Sequence, residues 1–172
     1  VKAREMPKPA SLIAAALVLS ASGAFAAEPL PPPAGATLLL EAIADGVQIY
    51  ACETQGQGVA WVFKAPEANL FDQHGRQIGT HFAGPSWRSS DGSAVVGEVI
   101  DKVDAPGGKA IPWLLLRAKS HEGTGSFSTV AFVRRAETKG GTAPVGGCDA
   151  AHRGIEARMR YSALYQFFTA AK

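Results

Sequence analysis

Signatures of catalysis or metal binding are missing from this chain. It contains no CxxC, no HxH or HExxH, no GxSxG and no GxGxxG. Each absence removes a class of chemistry. A structural or catalytic zinc needs three or four convergent ligands, and His74, His81, His121 and His152 offer no ligand spacing. No metal is expected. A serine nucleophile usually sits on a strained elbow beside an oxyanion hole, and that motif is lacking. A dinucleotide site needs a glycine-rich turn between strand and helix, so that a pyrophosphate can approach backbone amides. Gly56-Gln57-Gly58 and Gly123-Thr124-Gly125 lack the third glycine and the βαβ setting, so no cofactor is expected. Internal repeats and long low-complexity tracts are absent as well.

An excess of one charge is also missing once the N-terminus is set aside. Lys2, Arg4 and Lys8 precede an apolar run, Leu12 to Leu19, and small residues ending in Ala24-Phe25-Ala26. This basic, apolar, A-x-A order is that of a cleavable export signal, expected over residues 1–26. The run is shorter than the roughly 20 residues needed to span a bilayer, so no membrane span is expected after cleavage. Of 17 basic and 15 acidic residues, the leader holds Lys2, Arg4, Lys8 and Glu5. The remainder therefore carries 14 of each. The pI of 8.6 partly reflects the leader, and no electrostatic case for nucleic-acid binding remains. Arg134-Arg135 and Arg153/Arg158/Arg160 are expected to lie on solvated strand faces.

Cysteine is scarce, with Cys52 and Cys148 alone. In a secreted or periplasmic chain, an even count favours one disulfide between them. Such a bridge closes a long loop, for which chain entropy gives roughly 4–5 kcal/mol. A reactive or metal-bound thiol pair is the competing reading.

What is present reads as β-structure. A proline-rich linker, residues 27–36, leads into one domain, residues 37–172. Val47 to Cys52 alternates after an apparent Asp45-Gly46 turn. Val59 to Phe63, bounded by Ala65-Pro66, then Asn69 to Asp72, Ile78 to Phe82, Trp87 to Ser89, Ala94 to Val103, Pro112 to Ala118 and Phe127 to Arg135 follow. Turn residues recur between them. Leu38 to Ala44 reads as a short helix or a first strand. The tail fits both periods, and its aromatic residues favour a strand. The fold class expected is all-β, a compact sandwich or a partly closed barrel.

Six segments stand in a recognisable order: GVQIYAC (46–52), WVFKAPEANLFD (61–72), GTHFAGPSW (79–87), DGS (91–93), IPWLLLRAKS (111–120) and GGTAPVGGCDA (140–150). Over roughly residues 37–168 the chain resembles a family of secreted bacterial and fungal proteins, the domain of unknown function 3455. The resemblance implies an exported domain and no particular activity. Some fungal relatives carry a malate dehydrogenase label, which the missing dinucleotide motif does not support.

The densest polar and aromatic segment runs from His81 through Trp87 to Asp91. His81 can act as a general base with Asp91 orienting it, and Ser86 or Ser93 as nucleophile. The same residues can instead line a ligand cleft, or form an ordinary Asp-Gly hairpin turn. Trp61, Trp87 and Trp113 serve a core or a stacking platform. The favoured reading is an exported noncatalytic domain that binds a small ligand or a cell-envelope component through His81, Trp87 and Asp91. The alternatives are an extracytoplasmic hydrolase using His81 and Asp91, and a metal or redox accessory protein.

Overall fold

The structure, a computed structural model, describes residues 30–171. The expected leader and the start of the expected linker lie outside the described residues. Eight strands follow one another: β1 (Thr37–Gln55), β2 (Gly58–Phe71), β3 (Gln77–Phe82), β4 (Ser86–Ser89), β5 (Ala94–Val103), β6 (Trp113–Glu122), β7 (Phe132–Gly140) and β8 (Glu156–Thr169). Each pairs antiparallel with the next, and β8 returns to pair with β1. The all-β expectation holds, and of the two architectures named the barrel is the one formed. Its single sheet closes on itself, so no strand is left as a full-length free edge. No helix among the described residues is long and apolar enough to cross a membrane.

Alternation decides which residues enter the barrel. In β8, Tyr161, Ala163, Tyr165 and Phe167 are buried, with Ser162, Leu164 and Gln166 more exposed between them. The tail is therefore a strand. Opposite them β1 turns inward the small residues Ala42, Ala44 and Gly46, paired with Tyr165, Ala163 and Tyr161. Small residues on one strand make room for rings on the next, as a narrow barrel requires. Phe127, from the β6–β7 connection, plugs one end of the barrel and stacks on Phe167 with ring centroids 4.6 Å apart.

Four expected boundaries shift, the strand read over Phe127 to Arg135 beginning only at Phe132 and running on to Gly140. Leu38 to Ala44 is strand, continuous with Val47 to Cys52 in β1. The Asp45-Gly46 turn does not form, because Gly46 is paired on both sides, with Ala68 and with Tyr161. A Cβ at Gly46 would stand 2.5 Å from that of Ala68, so glycine serves close backbone approach here rather than chain reversal. Ala65-Pro66 does not end a strand, since β2 runs through it. The pairing of β2 with β3 begins only at Ala68. Pro66 thus lies on a stretch with one free side, where strands tolerate proline.

Cys52 and Cys148 form the expected disulfide, with Cα atoms 5.4 Å apart and a sequence separation of 96. It pins the long β7–β8 connection to the end of β1. Two further bonds hold that connection: the Tyr50 hydroxyl donates to the Gly141 carbonyl at 2.7 Å, and Trp61 Nε1 donates to the Gly146 carbonyl at 2.9 Å. Cys148→Ala should lower the unfolding free energy by about 2–5 kcal/mol. Urea denaturation of the oxidised parent and the variant measures this, and equal midpoints would contradict it.

Candidate functional site

Strand lengths set the site. The hairpin of β3 and β4 is short, six and four residues, between β2 of 14 and β5 of 10. Its tip, Ala83-Gly84-Pro85, stops while β2 and β5 continue past it. The wall is therefore incomplete on this side. Behind the gap lies a cavity of about 660 Å³ inside the barrel. This volume falls within the range typical of small-molecule sites, roughly 300–1,000 Å³. Phe63, Pro66, Val99, Ile111 and Leu114 supply its apolar wall, and the hairpin tip roofs it.

Polar groups reach the same space from five strands. Gln48 and Tyr50 come from β1, His81 from β3 and Arg135 from β7, while Lys64 and Lys102 come from the β2 and β5 stretches beyond the hairpin. No aspartate, glutamate, serine or cysteine is among the lining residues. Lys64 pairs with Glu53 at 2.9 Å, whereas Lys102 makes no ion pair among the described residues.

His81 is 2 % exposed. Its ring stacks on Trp87 at 4.6 Å with a 9° interplanar angle, and meets Tyr165 edge-on at 5.0 Å. Gly97 leaves room for this pile, since a Cβ there would approach the Trp87 ring to 3.1 Å. Nδ1 lies 2.8 Å from the Ser86 carbonyl oxygen. A carbonyl only accepts, so Nδ1 carries the proton and Nε2 is the free base nitrogen. Burial pushes the His81 pKa down to about 3. The Ser86 hydrogen bond opposes the shift, and the positive charge of Arg135 adds to it.

Asp91 is not with His81. Its carboxylate accepts from the Ser93 amide and hydroxyl at 2.9 and 2.6 Å, and from the Ser126 amide and hydroxyl at 2.8 and 2.7 Å. Those bonds hold its pKa well below the usual carboxylate value, the Ser93 hydroxyl contributing most. Ser93 Oγ also accepts from the Phe127 amide at 3.0 Å. Asp91 therefore ties the β4–β5 turn to the β6–β7 connection. An orienting contact from Asp91 to the His81 ring, with a raised His81 pKa, is not what the geometry gives, because desolvation acts on that ring with no carboxylate to offset it. Of the three residues singled out from sequence, His81 lines the cavity, Trp87 packs beneath it at 1 % exposure, and Asp91 braces loops elsewhere. Trp61 and Trp113 are half-buried, and Arg134 lies over the Trp113 ring at 5.7 Å.

Arg134 and Arg135 are not on a solvated face. They are 2 % and 8 % exposed. Arg134 Nη1 donates to Gln166 Oε1 at 2.6 Å on the outer side, and Arg135 turns into the barrel, between Leu114 and Tyr165 in register. Arg135 Nε and Nη2 both donate to the Pro112 carbonyl, at 3.1 and 2.9 Å. No carboxylate pairs with it among the described residues. Removing an ion from water costs several kcal/mol, and one carbonyl offsets only part of that. The charge is felt by Tyr50, His81, Tyr161 and Tyr165, whose pKa values it lowers against the effect of burial on the three phenols. Beside it, Gln48 Nε2 and the hydroxyls of Tyr161 and Tyr165 are buried without a well-formed hydrogen bond.

Among the described residues no group of three or more His, Cys, Asp or Glu can hold a metal ion. Both cysteines are in the disulfide.

His81 makes stability depend on acid. Unfolded, the ring takes up a proton near pH 6.5, while in the fold it stays neutral down to about pH 3. Between these values the unfolded state binds the extra proton, so stability falls as pH falls through that window, on the order of 1 kcal/mol per pH unit. His81→Phe keeps a ring against Trp87 and removes the titration. Urea midpoints from pH 7 to pH 4 should fall less steeply for the variant than for the parent, and parallel slopes would refute this.

No curated protein and no solved structure matches the chain. One family model does match it, from residue 33 to residue 169, which takes in all eight strands and both cysteines. The chain belongs to the family described as a protein of unknown function, DUF3455.

Proposed function

We propose that this is an exported, noncatalytic protein that holds a small ligand inside its barrel. The observation that carries the reading is the cavity of about 660 Å³, apolar over most of its wall and open beside the β3–β4 hairpin. Large, mostly apolar concavities with a few converging polar groups are the usual form of small-molecule sites. Binding rather than turnover is supported by the lining. His81 is the one imidazole there, it has no carboxylate to orient it, and no serine or cysteine nucleophile lines the space. Export is supported by the leader pattern of residues 1–26 and by the disulfide, which suits an oxidising compartment. The ligand is then a molecule met outside the cytoplasm, whether free or derived from the cell envelope.

Val99 stands at the mouth and is half exposed, so a larger side chain there can block entry without crowding the core. Native mass spectrometry of protein taken from its own host should show a bound small molecule, released on denaturation. Val99→Trp should reduce the loaded fraction at least several-fold with little change in the melting temperature. A parent protein that stays empty with both host extract and apolar probes would overturn the reading.

A further inference from the structure

We infer that the ligand is an amphipathic carboxylate, its charged head docked on Arg135 and its apolar body lying along the wall toward the mouth. This rests on the cavity being a binding site, and adds the chemistry of what is bound. Arg135 is 8 % exposed and lines the cavity. Its guanidinium has five N–H donors. The Pro112 carbonyl takes one from Nε and one from Nη2. The Nη1 end is left, with two N–H groups on Nη1 and one more on Nη2; the Tyr165 hydroxyl interacts with the guanidinium without forming a well-shaped hydrogen bond, and this end is itself a two-donor fork matched to a carboxylate.

The surroundings favour an anion and disfavour a cation. No acidic side chain lines the cavity, while Lys102 adds positive charge nearer the mouth and Lys64 is already paired with Glu53. A buried guanidinium with no carboxylate partner is costly for the empty protein. An incoming carboxylate supplies the missing partner, and beside a guanidinium that is largely buried its attraction to Arg135 is little screened. A further donor lines the same space, since Gln48 Nε2 is buried there without a well-formed hydrogen bond. A carboxylate fits better than a phosphate monoester, because the deep site offers one guanidinium fork rather than several cations. The wall of Phe63, Pro66, Val99, Ile111 and Leu114 then suits an alkyl or aromatic body.

Three probes that share one tail test this: dodecanoate, dodecanol and dodecyl phosphate, titrated by calorimetry into the oxidised full-length mature protein. The parent should bind dodecanoate about tenfold to a hundredfold more tightly than dodecanol, the range expected for one charge-assisted pair, and more tightly than dodecyl phosphate. Arg135→Met should bind dodecanoate and dodecanol alike, with a melting temperature, unliganded, no lower than that of the parent. Arg135→Lys, which keeps the charge and loses the fork, should retain only part of the preference. Equal binding of acid and alcohol by the parent, or a preference that survives in Arg135→Met, would overturn the carboxylate and leave the cavity reading intact. Stronger binding of dodecyl phosphate would also overturn it. If no probe binds the parent at all, the cavity reading fails with it.

Discussion

The hydrogen-bonded seam between β1 and β8 turns a simple meander into an enclosed space. Without it, β1 and β8 would each present a long unpaired edge, and the inner face of the sheet would meet water. With it, the interior has a low dielectric. That one change explains the unusual electrostatics within. His81 stays neutral because its charged form would lose hydration with nothing to replace it, and the charge of Arg135 is felt by four rings because little water screens it.

The barrel is filled from one end only. Phe127, Phe167, Trp87, Leu116 and Val95 pack the half beneath the β4–β5 and β6–β7 connections, and Asp91 stitches those connections together. The other half is left open by a shortage of strand length, since β3 and β4 end early between longer neighbours. A rigid lower half beneath a hollow upper half separates two demands that usually conflict. Stability comes from residues away from the cavity, and the residues of the cavity are free to be polar or unpaired. Gln48 and Arg135 are of that kind.

Much of the fold was legible in the residues. Short apolar runs between turn residues place β3 to β6 nearly as they stand, the aromatic tail marks β8, and the two cysteines mark the bridge. The misreadings share a cause. Asp45-Gly46 and Ala65-Pro66 look like punctuation in isolation, yet in a sheet paired on both sides glycine answers crowding and proline answers a missing neighbour. Neither is visible until the register is known. At the site, His81 was chosen for its chemistry and does reach the cavity, while Asp91 was chosen for its nearness in sequence and lies with the serines of another loop. Arg135 was passed over as half of a solvated pair. The signal was there: in Val133-Arg134-Arg135-Ala136, alternation puts Arg135 on the same face as Val133, which is 0 % exposed, so one of the two arginines had to point inward.

The disulfide has a consequence beyond its contribution to folding. It sits at the open end of the barrel, where it fastens the β7–β8 connection, and so it acts on the rim rather than on the packed half. A chain folded under reducing conditions would build the same strands around the same rings, but its rim would be held only by bonds such as those from Tyr50 and Trp61. The looseness of that rim would then depend on the redox state of the compartment in which the chain folds. Material from the cytoplasm of an expression host and material from an oxidising compartment would share one backbone trace and differ in how firmly the mouth of the cavity is framed.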